Sequence, residues 1–452
     1  MTNTHDPSRP FRYTVLPRTS SRLTLRTLAH SVCTIRLDGA SPSRRNLRVY
    51  ADHEGFIRLH VRPSVEWKET VRFVLDCDVE GNVTHFPLEL RPSYEATRDS
   101  PAPPDHEPVR PGPDRLARPA LIEDEMLRFT DEQLFERGYP LRPDPNTAPR
   151  VFDSWRRAVL VPGMFVQPQT VALPDVTHTR LMPTEAVQNS FNWSGFELPN
   201  SRVFSAAGYK GFGFSHYDYA RGIWHVPGVT SRPNSFASSS LWVGLDGDGT
   251  TDLVQAGTES RAVSYAPNDF VSITIGQSYA WTQFLPQQST SQAVTNVPVW
   301  PGDLVMVEVW IGNPASGPTA DGASGVFFLI NLTSGVSTYV STPVGSTKVS
   351  GKEAVWIMER PTFTADPSGI FGKYQYVPML ANYGTAVMMD VYAGRSDVPG
   401  VRGYTPYFGP ASKAITMTNI PGDTIMSTVT SLDSYTMRFD WHSFGSSEVV
   451  PG

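Results

Sequence analysis

The chain has 452 residues, which is long enough for two or three domains and at least one substantial hydrophobic core. Its hydrophobic content of 40% fits a globular protein, and its 35 glycines and 40 prolines are typical of turn-rich β structure. A net charge of −6, without a dense basic stripe that carries aromatic residues, argues against nucleic acid as a partner. No apolar run approaches the length of a membrane span, about eighteen residues.

The first part of the chain has the pattern of a small β-sandwich. After a tail at residues 1–9, residues 10–95 contain six segments of alternating polarity at short spacing, as in an immunoglobulin-like fold. We expect an accessory domain with no chemistry of its own. Cys33 and Cys77 are the only cysteines, and they either bridge facing strands or remain two buried thiols.

A proline-rich linker at 96–120 follows, with a composition typical of an extended, semi-rigid spacer. The region 121–187 then mixes short helical patterns with irregular sequence. A capping residue and a terminating glycine predict one helix over 131–137, and apolar residues at four-residue spacing predict another over 149–159. The position of this region, just ahead of a strand-rich half, resembles that of a pro-segment.

Residues Ser238–Gly257 have the pattern of two strands around a tight acidic turn. The first strand is Leu241–Leu245 and the second is Asp252–Ala256, with a glycine-rich loop between them. The two-residue period of a strand places Gln255 on one face with Leu253. Most such glutamines are edge residues, so a functional interpretation needs a second stretch.

The second stretch, Ser350–Thr362, contains a strand that is apolar on both faces except at Glu359. A carboxylate at the end of such a strand loses hydration, which raises its pKa toward the range of a proton-transferring group. The alternative is a strand-end glutamate that turns to solvent just before Pro361. If Glu359 and Gln255 instead face one another across a cleft, they form a candidate catalytic pair.

Five sequence blocks, together with the order in which they occur, resemble one known family. The blocks are SFNWSG (190–195), LWVGLDGD (241–248), LVQAG (253–257), AWTQFLP (280–286) and AVWIME (354–359). This series resembles the glutamic peptidases, the eqolisin family, from about residue 188 to the C-terminus.

The resemblance implies both a fold and a site. The implied fold class is all-β, with a concanavalin-like antiparallel β-sandwich peptidase domain at 188–452 preceded by the smaller β-sandwich. The implied catalytic pair is Gln255 and Glu359. The positions that match substrate-binding or supporting residues of the family are Trp193, Trp242, Asp246, Trp281 and Gln283.

Gln283 departs from the family pattern, which usually carries a carboxylate at this position. An amide removes one negative charge from the site. We expect this change either to lower the pKa of Glu359 and shift the pH optimum, or to weaken catalysis.

The expected function is an acid-acting endopeptidase that hydrolyses polypeptides without a cofactor. Glu359 would take a proton from water and return it to the leaving nitrogen, while Gln255 would donate to the oxyanion and position the water. The loop Asp246–Asp252 superficially resembles a calcium loop, but Gly257 stands where a bidentate glutamate is required, so no metal is expected. The alternative function is a non-catalytic β-sandwich that binds carbohydrate or protein.

We expect the region 121–187 to be an intramolecular inhibitor that lies across the cleft and is cut at low pH; the alternative is a permanent connector. An acid peptidase of this kind is expected to be secreted or extracytoplasmic, although no conventional signal peptide is visible. The basic residues expected to pair with Glu359 or neighbouring acids near neutral pH, and to separate when these acids protonate, are Arg150, Arg156, Arg157 and Arg180.

Overall fold

The structure is a computed structural model. It describes residues 11–15, 21–29, 31–38, 46–52, 54–64, 67–68, 70–79, 82–92, 115–146, 148–173, 175–181, 189–200, 216–268, 271–313, 317–318, 322–345, 349–365, 374–395, 403–405 and 412–450. The predicted tail at 1–9, residues 96–114 of the predicted linker and residues 182–187 of the predicted pro-segment lie outside the described residues.

The described part of the chain is almost entirely β structure, as predicted. Its helices are α1 (Glu123–Arg128), α2 (Asp131–Glu136) and α3 (Pro149–Val159). Its strands are β1 (Phe11–Val15), β2 (Ser21–Arg26), β3 (Val32–Leu37), β4 (Leu47–Tyr50), β5 (Phe56–Pro63), β6 (Val71–Val79), β7 (Asn82–Pro92), β8 (Arg115–Arg118), β9 (Gly163–Val166), β10 (Thr170–Ala172), β11 (Val176–Thr177), β12 (Asn189–Ser190), β13 (Trp193–Pro199), β14 (Tyr219–His225), β15 (Ser235–Asp246), β16 (Leu253–Asn268), β17 (Val271–Leu285), β18 (Gln292–Val294), β19 (Leu304–Asn313), β20 (Gly317–Pro318), β21 (Ser324–Asn331), β22 (Val336–Pro343), β23 (Glu353–Glu359), β24 (Thr362–Ala365), β25 (Tyr374–Val377), β26 (Met379–Leu380), β27 (Thr385–Arg395), β28 (Gly403–Thr405), β29 (Lys413–Thr418), β30 (Ile425–Asp433), β31 (Thr436–Trp441) and β32 (Glu448–Val449).

Strands β1–β7 form the N-terminal unit. Five of them make one sheet in the order β1, β7, β6, β3 and β4, and β2 pairs with β5. Cys33 in β3 lies directly opposite Cys77 in β6, and the two form a disulfide. Of the two alternatives that the sequence leaves open, the structure contains the bridge. Strand β5 also pairs with β17, so the N-terminal unit is hydrogen-bonded to the C-terminal half.

Two packed sheets form the C-terminal half. The front sheet runs in the order β5, β17, β16, β15, β23, β13 and β29. The back sheet runs in the order β9, β22, β21, β19, β14, β27, β31, β30 and β29. Strand β29 pairs in both sheets and joins them along one side. Apart from the parallel β9–β22 pair, the strands of both sheets alternate in direction, which fits the predicted antiparallel sandwich.

The main hydrophobic core lies between the two sheets. Alternate residues of each strand point into it, such as Leu241, Val243 and Leu245 of β15 from the front sheet and Val307 and Val309 of β19 from the back sheet. The other residues of the same strands are also buried. This explains why strands such as β23 have no polar face in the sequence.

The helical region covers the outer face of the back sheet. Helix α2 begins after Thr130, whose hydroxyl accepts a hydrogen bond from the backbone nitrogen of Gln133, and α3 has the predicted bounds. Phe135 and Ala158 pack with Trp310 and its neighbours on the back sheet. None of the helices in the described ranges combines the length and apolarity that a membrane crossing requires.

The chain then passes from the back sheet to the front sheet. Strand β9 pairs with β22 of the back sheet, and β10 pairs with β18, which itself pairs with β17. Strand β11 pairs with β24 next to the front sheet. We call residues 175–181 the strap, because this segment crosses the face of the front sheet that points away from the main core, where Gln255 and Glu359 lie.

Candidate active site

Gln255 and Glu359 lie on the same face of the front sheet. Gln255 is in β16, opposite Gly244 of β15 and Gln283 of β17. Glu359 is the last residue of β23, opposite Ser240 of β15. Both side chains are fully buried, because the strap covers this face.

His178 of the strap joins the two side chains. The Gln255 amide nitrogen Nε2 donates a hydrogen bond to the carbonyl oxygen of His178 over 2.7 Å. The Nδ1 atom of the same histidine lies 2.7 Å from Oε2 of Glu359. A backbone carbonyl and an imidazole therefore occupy the space between the amide and the carboxylate that the sequence analysis paired.

Glu359 has polar neighbours besides His178. Trp242 Nε1 donates to Oε2 over 2.8 Å, and Asn192 Nδ2 donates to Oε1 over 3.3 Å. Burial raises the pKa of Glu359, against the charge and hydrogen bond of His178. The predicted direction of this pKa shift is confirmed, and the alternative of a solvent-facing glutamate does not hold.

Gln283 lies beside Gln255 and holds the strap. Its Oε1 accepts from the backbone nitrogen of His178 over 3.1 Å and from Gln255 Nε2 over 3.3 Å. Its Nε2 donates to Thr177 Oγ1 and to the carbonyl oxygen of Gln288, each over 3.3 Å. A carboxylate could accept the first two hydrogen bonds but could not make the other two.

Three tryptophans surround the pair. Trp193 and Trp242 pack edge-to-face with ring centroids 4.9 Å apart, and Trp281 lies edge-on to Trp242 at 6.4 Å. The imidazole of His178 stacks on Trp281 with centroids 3.6 Å apart and planes 4° from parallel. The three tryptophan rings are fully buried and also line the space around Glu359.

The sequence around this site matches a known family. A family model described as the Peptidase A4 family matches residues 204–439, slightly more than half of the chain. The chain belongs to the Peptidase A4 family. The resemblance to glutamic peptidases is thereby confirmed, and the protein is a glutamic endopeptidase whose substrates are polypeptides.

Six chains among the solved structures are similar to this protein, and two of them are described here. One is scytalido-glutamic peptidase with a transition state analog inhibitor, at 19% identity and a TM-score of 0.39. The other is SCP-B, a member of the Eqolisin family, in a complex with the tripeptide Ala-Ile-His, at 17% identity and a TM-score of 0.37. Each similarity covers 56% of this chain and 98% of the other. A comparison with curated protein sequences gave no match.

Asp246, the last residue of β15, supports the site of this A4 peptidase. Its two carboxylate oxygens accept from the backbone nitrogens of Gly351 and Lys352, each over 2.7 Å, just ahead of β23. Burial and the charge of Asp252 raise the pKa of Asp246 well above its usual range. Asp252 in turn accepts two hydrogen bonds from Ser350. Both acids of the turn therefore hold the chain that leads to Glu359.

A buried charged group lies next to Gln255 and Glu359, the candidate catalytic pair of this A4 peptidase. Glu259, two strand positions beyond Gly257, lies 3.8 Å from Nε2 of His178 and 2.6 Å from Nε of Arg261. Tyr279 donates to Glu259 over 2.5 Å, and Arg261 donates to the hydroxyl of Tyr50 over 2.9 Å. Since Tyr50 belongs to β4, this group of side chains connects the site to the N-terminal unit.

The basic residues predicted to reach Glu359 lie elsewhere. Arg150 pairs with Asp390 and Asp433 on the outer side of the back sheet, at 3.5 and 3.6 Å. Arg180 pairs with Glu197 and Asp248. The prediction that neighbouring acids bind Arg180 is consistent with this pair, whereas the group that contacts Glu359 is His178.

Sequence reasoning missed three residues of the site: His178, Asn192 and Glu259. Glu259 was detectable, because it follows Gln255 at the two-residue period on the same face. Asn192 was visible next to Trp193 in one of the family-like blocks. No local signal identified His178, since it lies in an irregular segment and reaches the site only through the path of the chain around the sandwich.

Proposed function

We propose that this glutamic peptidase hydrolyses peptide bonds with Gln255 and Glu359 as its catalytic pair. The observation that supports the proposal is the position of His178. Its carbonyl oxygen accepts from Gln255 Nε2, and its imidazole lies against Glu359, each at 2.7 Å. A substrate carbonyl bound in the same way would have an amide donor on its oxygen and a carboxylate within reach of an attacking water.

In the proposed reaction, Glu359 as carboxylate removes a proton from water while the oxygen of the water attacks the carbonyl carbon. Gln255 Nε2 donates to the oxyanion that forms, and one such donor is typically worth about 3 kcal/mol of barrier. Glu359 then returns the proton to the nitrogen, and the carbon–nitrogen bond breaks to give an acid and an amine. Water supplies every atom added to the products.

We further propose that the region 121–187 contains an inhibitor, and that the strap is its inhibitory part. The imidazole of His178 fills the space beside Glu359 that the attacking water needs. The rest of the region has a structural function, since its helices are packed on the back sheet. The strap is the part that must leave or be cut.

We propose that acid releases the strap. Two carboxyl groups that hold it, Glu359 and Glu197, have raised pKa values because of burial, with that of Glu197 at about 7. When they protonate, the strap loses the carboxylate contact at His178 and an ion pair at Arg180, while Glu259 still faces His178 and Asp248 still faces Arg180. Water that enters the vacated site then removes the burial that raised the pKa of Glu359, and the carboxylate needed for catalysis forms at acidic pH.

We also propose that the protein acts outside the cytosol. The disulfide between Cys33 and Cys77 supports this location, because such bonds persist mainly in oxidising compartments.

The proposal is tested with Glu359→Gln and Gln255→Ala against casein or another denatured protein at pH 3–5. Glu359→Gln removes the base, so we expect activity to fall at least about a thousandfold. Gln255→Ala removes the oxyanion donor, so we expect a loss of about a hundredfold or more. Circular dichroism and a thermal unfolding curve show whether each variant is folded.

If either variant were folded and as active as the wild type, the catalytic role assigned to the replaced residue would be wrong. If no form of the protein cleaved any denatured protein, but the wild type bound glycans, the non-catalytic alternative would replace the peptidase proposal.

A further inference from the structure

Three carboxylates form a cluster where the strap leaves the catalytic pair. We call Glu197, Asp248 and Glu353 the acid cluster; an oxygen of each lies within 4.8 Å of the others. Glu197 and Glu353 are buried on neighbouring strands β13 and β23, while Asp248 lies in the turn after β15 and is partly exposed. Glu353 already binds the backbone, because its Oε1 accepts a hydrogen bond from the backbone nitrogen of Asp248 over 2.5 Å.

A resident lysine uses one oxygen of each remaining carboxylate. Lys413 of β29 lies opposite Glu197 in the front sheet. Its Nζ is 2.9 Å from Oε2 of Glu197 and 2.9 Å from Oδ2 of Asp248. Because Lys413 belongs to the sandwich, these contacts do not depend on the strap.

The strap uses the other two oxygens. Arg180 Nη1 contacts Oε1 of Glu197 and lies 2.6 Å from Oδ1 of Asp248. The Arg180 side chain is only 2% exposed, so the guanidinium is enclosed rather than lying on the surface. When the strap leaves, Oε1 of Glu197 and Oδ1 of Asp248 therefore face the same space, which is large enough for a guanidinium group.

The position of His178 indicates how a bound peptide would align with the catalytic pair. If the carbonyl that accepts from Gln255 marks the bond to be cut, the bond lies between His178 and Thr179, and Arg180 is the second residue beyond it. This step rests on the function proposed above. We propose that the acid cluster is a substrate subsite for an arginine or lysine side chain at the second position after the cleaved bond.

Asp248 is the determinant that an experiment can change. Burial opposes its ionisation, but the hydrogen bond from Lys413 and the charge of Arg180 hold the pKa of Asp248 below its usual range. With an arginine in this place, the Asp248 carboxylate therefore stays ionised to lower pH than Glu197 and Glu353, whose pKa values burial raises to about 7 and about 9. Its hydrogen bond to Glu353 comes from the backbone and survives replacement of the side chain.

The test is a digest of a denatured protein mixture by the full chain at acidic pH, with the product termini identified by mass spectrometry. We expect arginine and lysine to be enriched about tenfold at the second position after the cut, as for a charge-assisted pair. Asp248→Asn is expected to abolish most of this enrichment. Asp440→Asn is a matched control, because it removes one carboxylate from β31 and is expected to keep the enrichment. Each ratio is measured within one digest and does not depend on total activity.

A second measurement uses two synthetic peptides that differ only in arginine or citrulline at that position. We expect kcat/KM to favour arginine about tenfold with the wild type and not with Asp248→Asn. Cleavage without enrichment, enrichment at another position, or enrichment unchanged in Asp248→Asn would overturn the subsite while leaving the catalytic pair intact. Absence of any cleavage would instead count against the proposed function.

Discussion

His178 contacts the carboxylate and accepts from the amide of the proposed catalytic pair, so its removal tests inhibition at a single residue. His178→Ala keeps the backbone carbonyl that Gln255 binds but vacates the space beside Glu359. We expect this variant to cleave a peptide substrate at pH 6, where the proposed inhibition keeps the wild type closed. At low pH, we expect wild-type activity to begin after a lag for release of the strap, and the variant to show no lag. Rate against pH, measured from the first minute, checks this expectation.

His225→Ala provides the control for that experiment, because His225 is exposed at the end of β14 and contacts only the carbonyl oxygen of Gly302 in the contacts described. It should behave as the wild type. Identical profiles for His178→Ala and the wild type would mean that the imidazole does not close the site.

Gln283 tests the electrostatics of the base. Gln283→Glu adds a negative charge close to Gln255 and His178, which should raise the pKa of Glu359 further. Since the base must be ionised, the acid limb of kcat/KM should move to higher pH. Gln133→Glu adds the same charge in α2 on the opposite side of the sandwich and should leave the profile unchanged. An acid limb at the same pH in all three proteins would show that residue 283 has no such electrostatic effect.

Among elements, β16 brings the largest number of chemical groups to the site. Gln255, Gly257, Glu259 and Arg261 follow one another on its front face. Gly257 is required there because an added Cβ would lie 2.4 Å from both the carbonyl oxygen of Leu241 and the Cβ of Trp242. The missing side chain lets β15 and its tryptophan lie close against β16.

Gly257→Ala should therefore destabilise the protein. The clash involves backbone, which cannot move aside as a flexible side chain can, so we expect the free energy of unfolding to fall by about 2–3 kcal/mol. Gly228→Ala is a matched control, since its Cβ would meet only Pro301 at 3.7 Å, an ordinary contact. Urea unfolding followed by tryptophan fluorescence measures both. Equal stability of the two variants would mean that β15 and β16 can separate locally at little cost.

The individual strands were predictable from the sequence, and their long-range arrangement was less so. Sequence pattern predicted the cores of β15 and β16, at Leu241–Leu245 and Asp252–Ala256, and a strand within Ser350–Thr362, because turn residues bound these apolar runs. Periodicity did not predict that β16 and β17 extend past the site to Asn268 and Val271, or that β17 pairs with β5. Pairing between distant strands depends on the path of the chain, which local composition does not encode.

The same limit applies to the segment 121–187. Its helices were predictable from capping residues and apolar spacing, but the face against which they pack was not. The aromatic-rich sequence of residues 209–225 shows the same limit, because its composition fits either the wall of a groove or a packed hairpin. Of its residues 209–225, those from 216 onward are described, and β14 lies in the middle of the back sheet with Trp224 in the core. Residues 209–215 lie outside the described ranges.

At the scale of the whole molecule, the N-terminal unit is part of the support of the site. Strand β5 continues the front sheet beyond β17. The side-chain amide of Gln277 accepts from the backbone nitrogen of Tyr50 over 3.0 Å and donates to its carbonyl oxygen over 2.9 Å. We expect loss of the disulfide in Cys33→Ala/Cys77→Ala to lower the stability of both halves together, by about 2–5 kcal/mol. Fluorescence reports mainly on the C-terminal half, since Trp67 is the one tryptophan of ten that precedes residue 150. An unchanged fluorescence transition would show that the halves unfold separately.

Buried carboxyl groups also give the whole fold a dependence on pH. Burial raises the pKa of Glu197 to about 7 and, with the charge of Glu197, that of Glu353 to about 9. In the unfolded chain both groups return to about 4.5 and lose their protons at neutral pH, so the folded state binds more protons and its stability falls as pH rises. Burial lowers the pKa of His60 from 6.5 to about 4, so this residue makes stability rise with pH, but only below about pH 6.5.

We therefore expect the urea midpoint of inactive Glu359→Gln protein to be higher at pH 6.5 than at pH 8.5. Adding Glu353→Gln, which keeps the oxygen that accepts from Asp248, should reduce this difference, and a midpoint that rises toward pH 8.5 would contradict the raised pKa values.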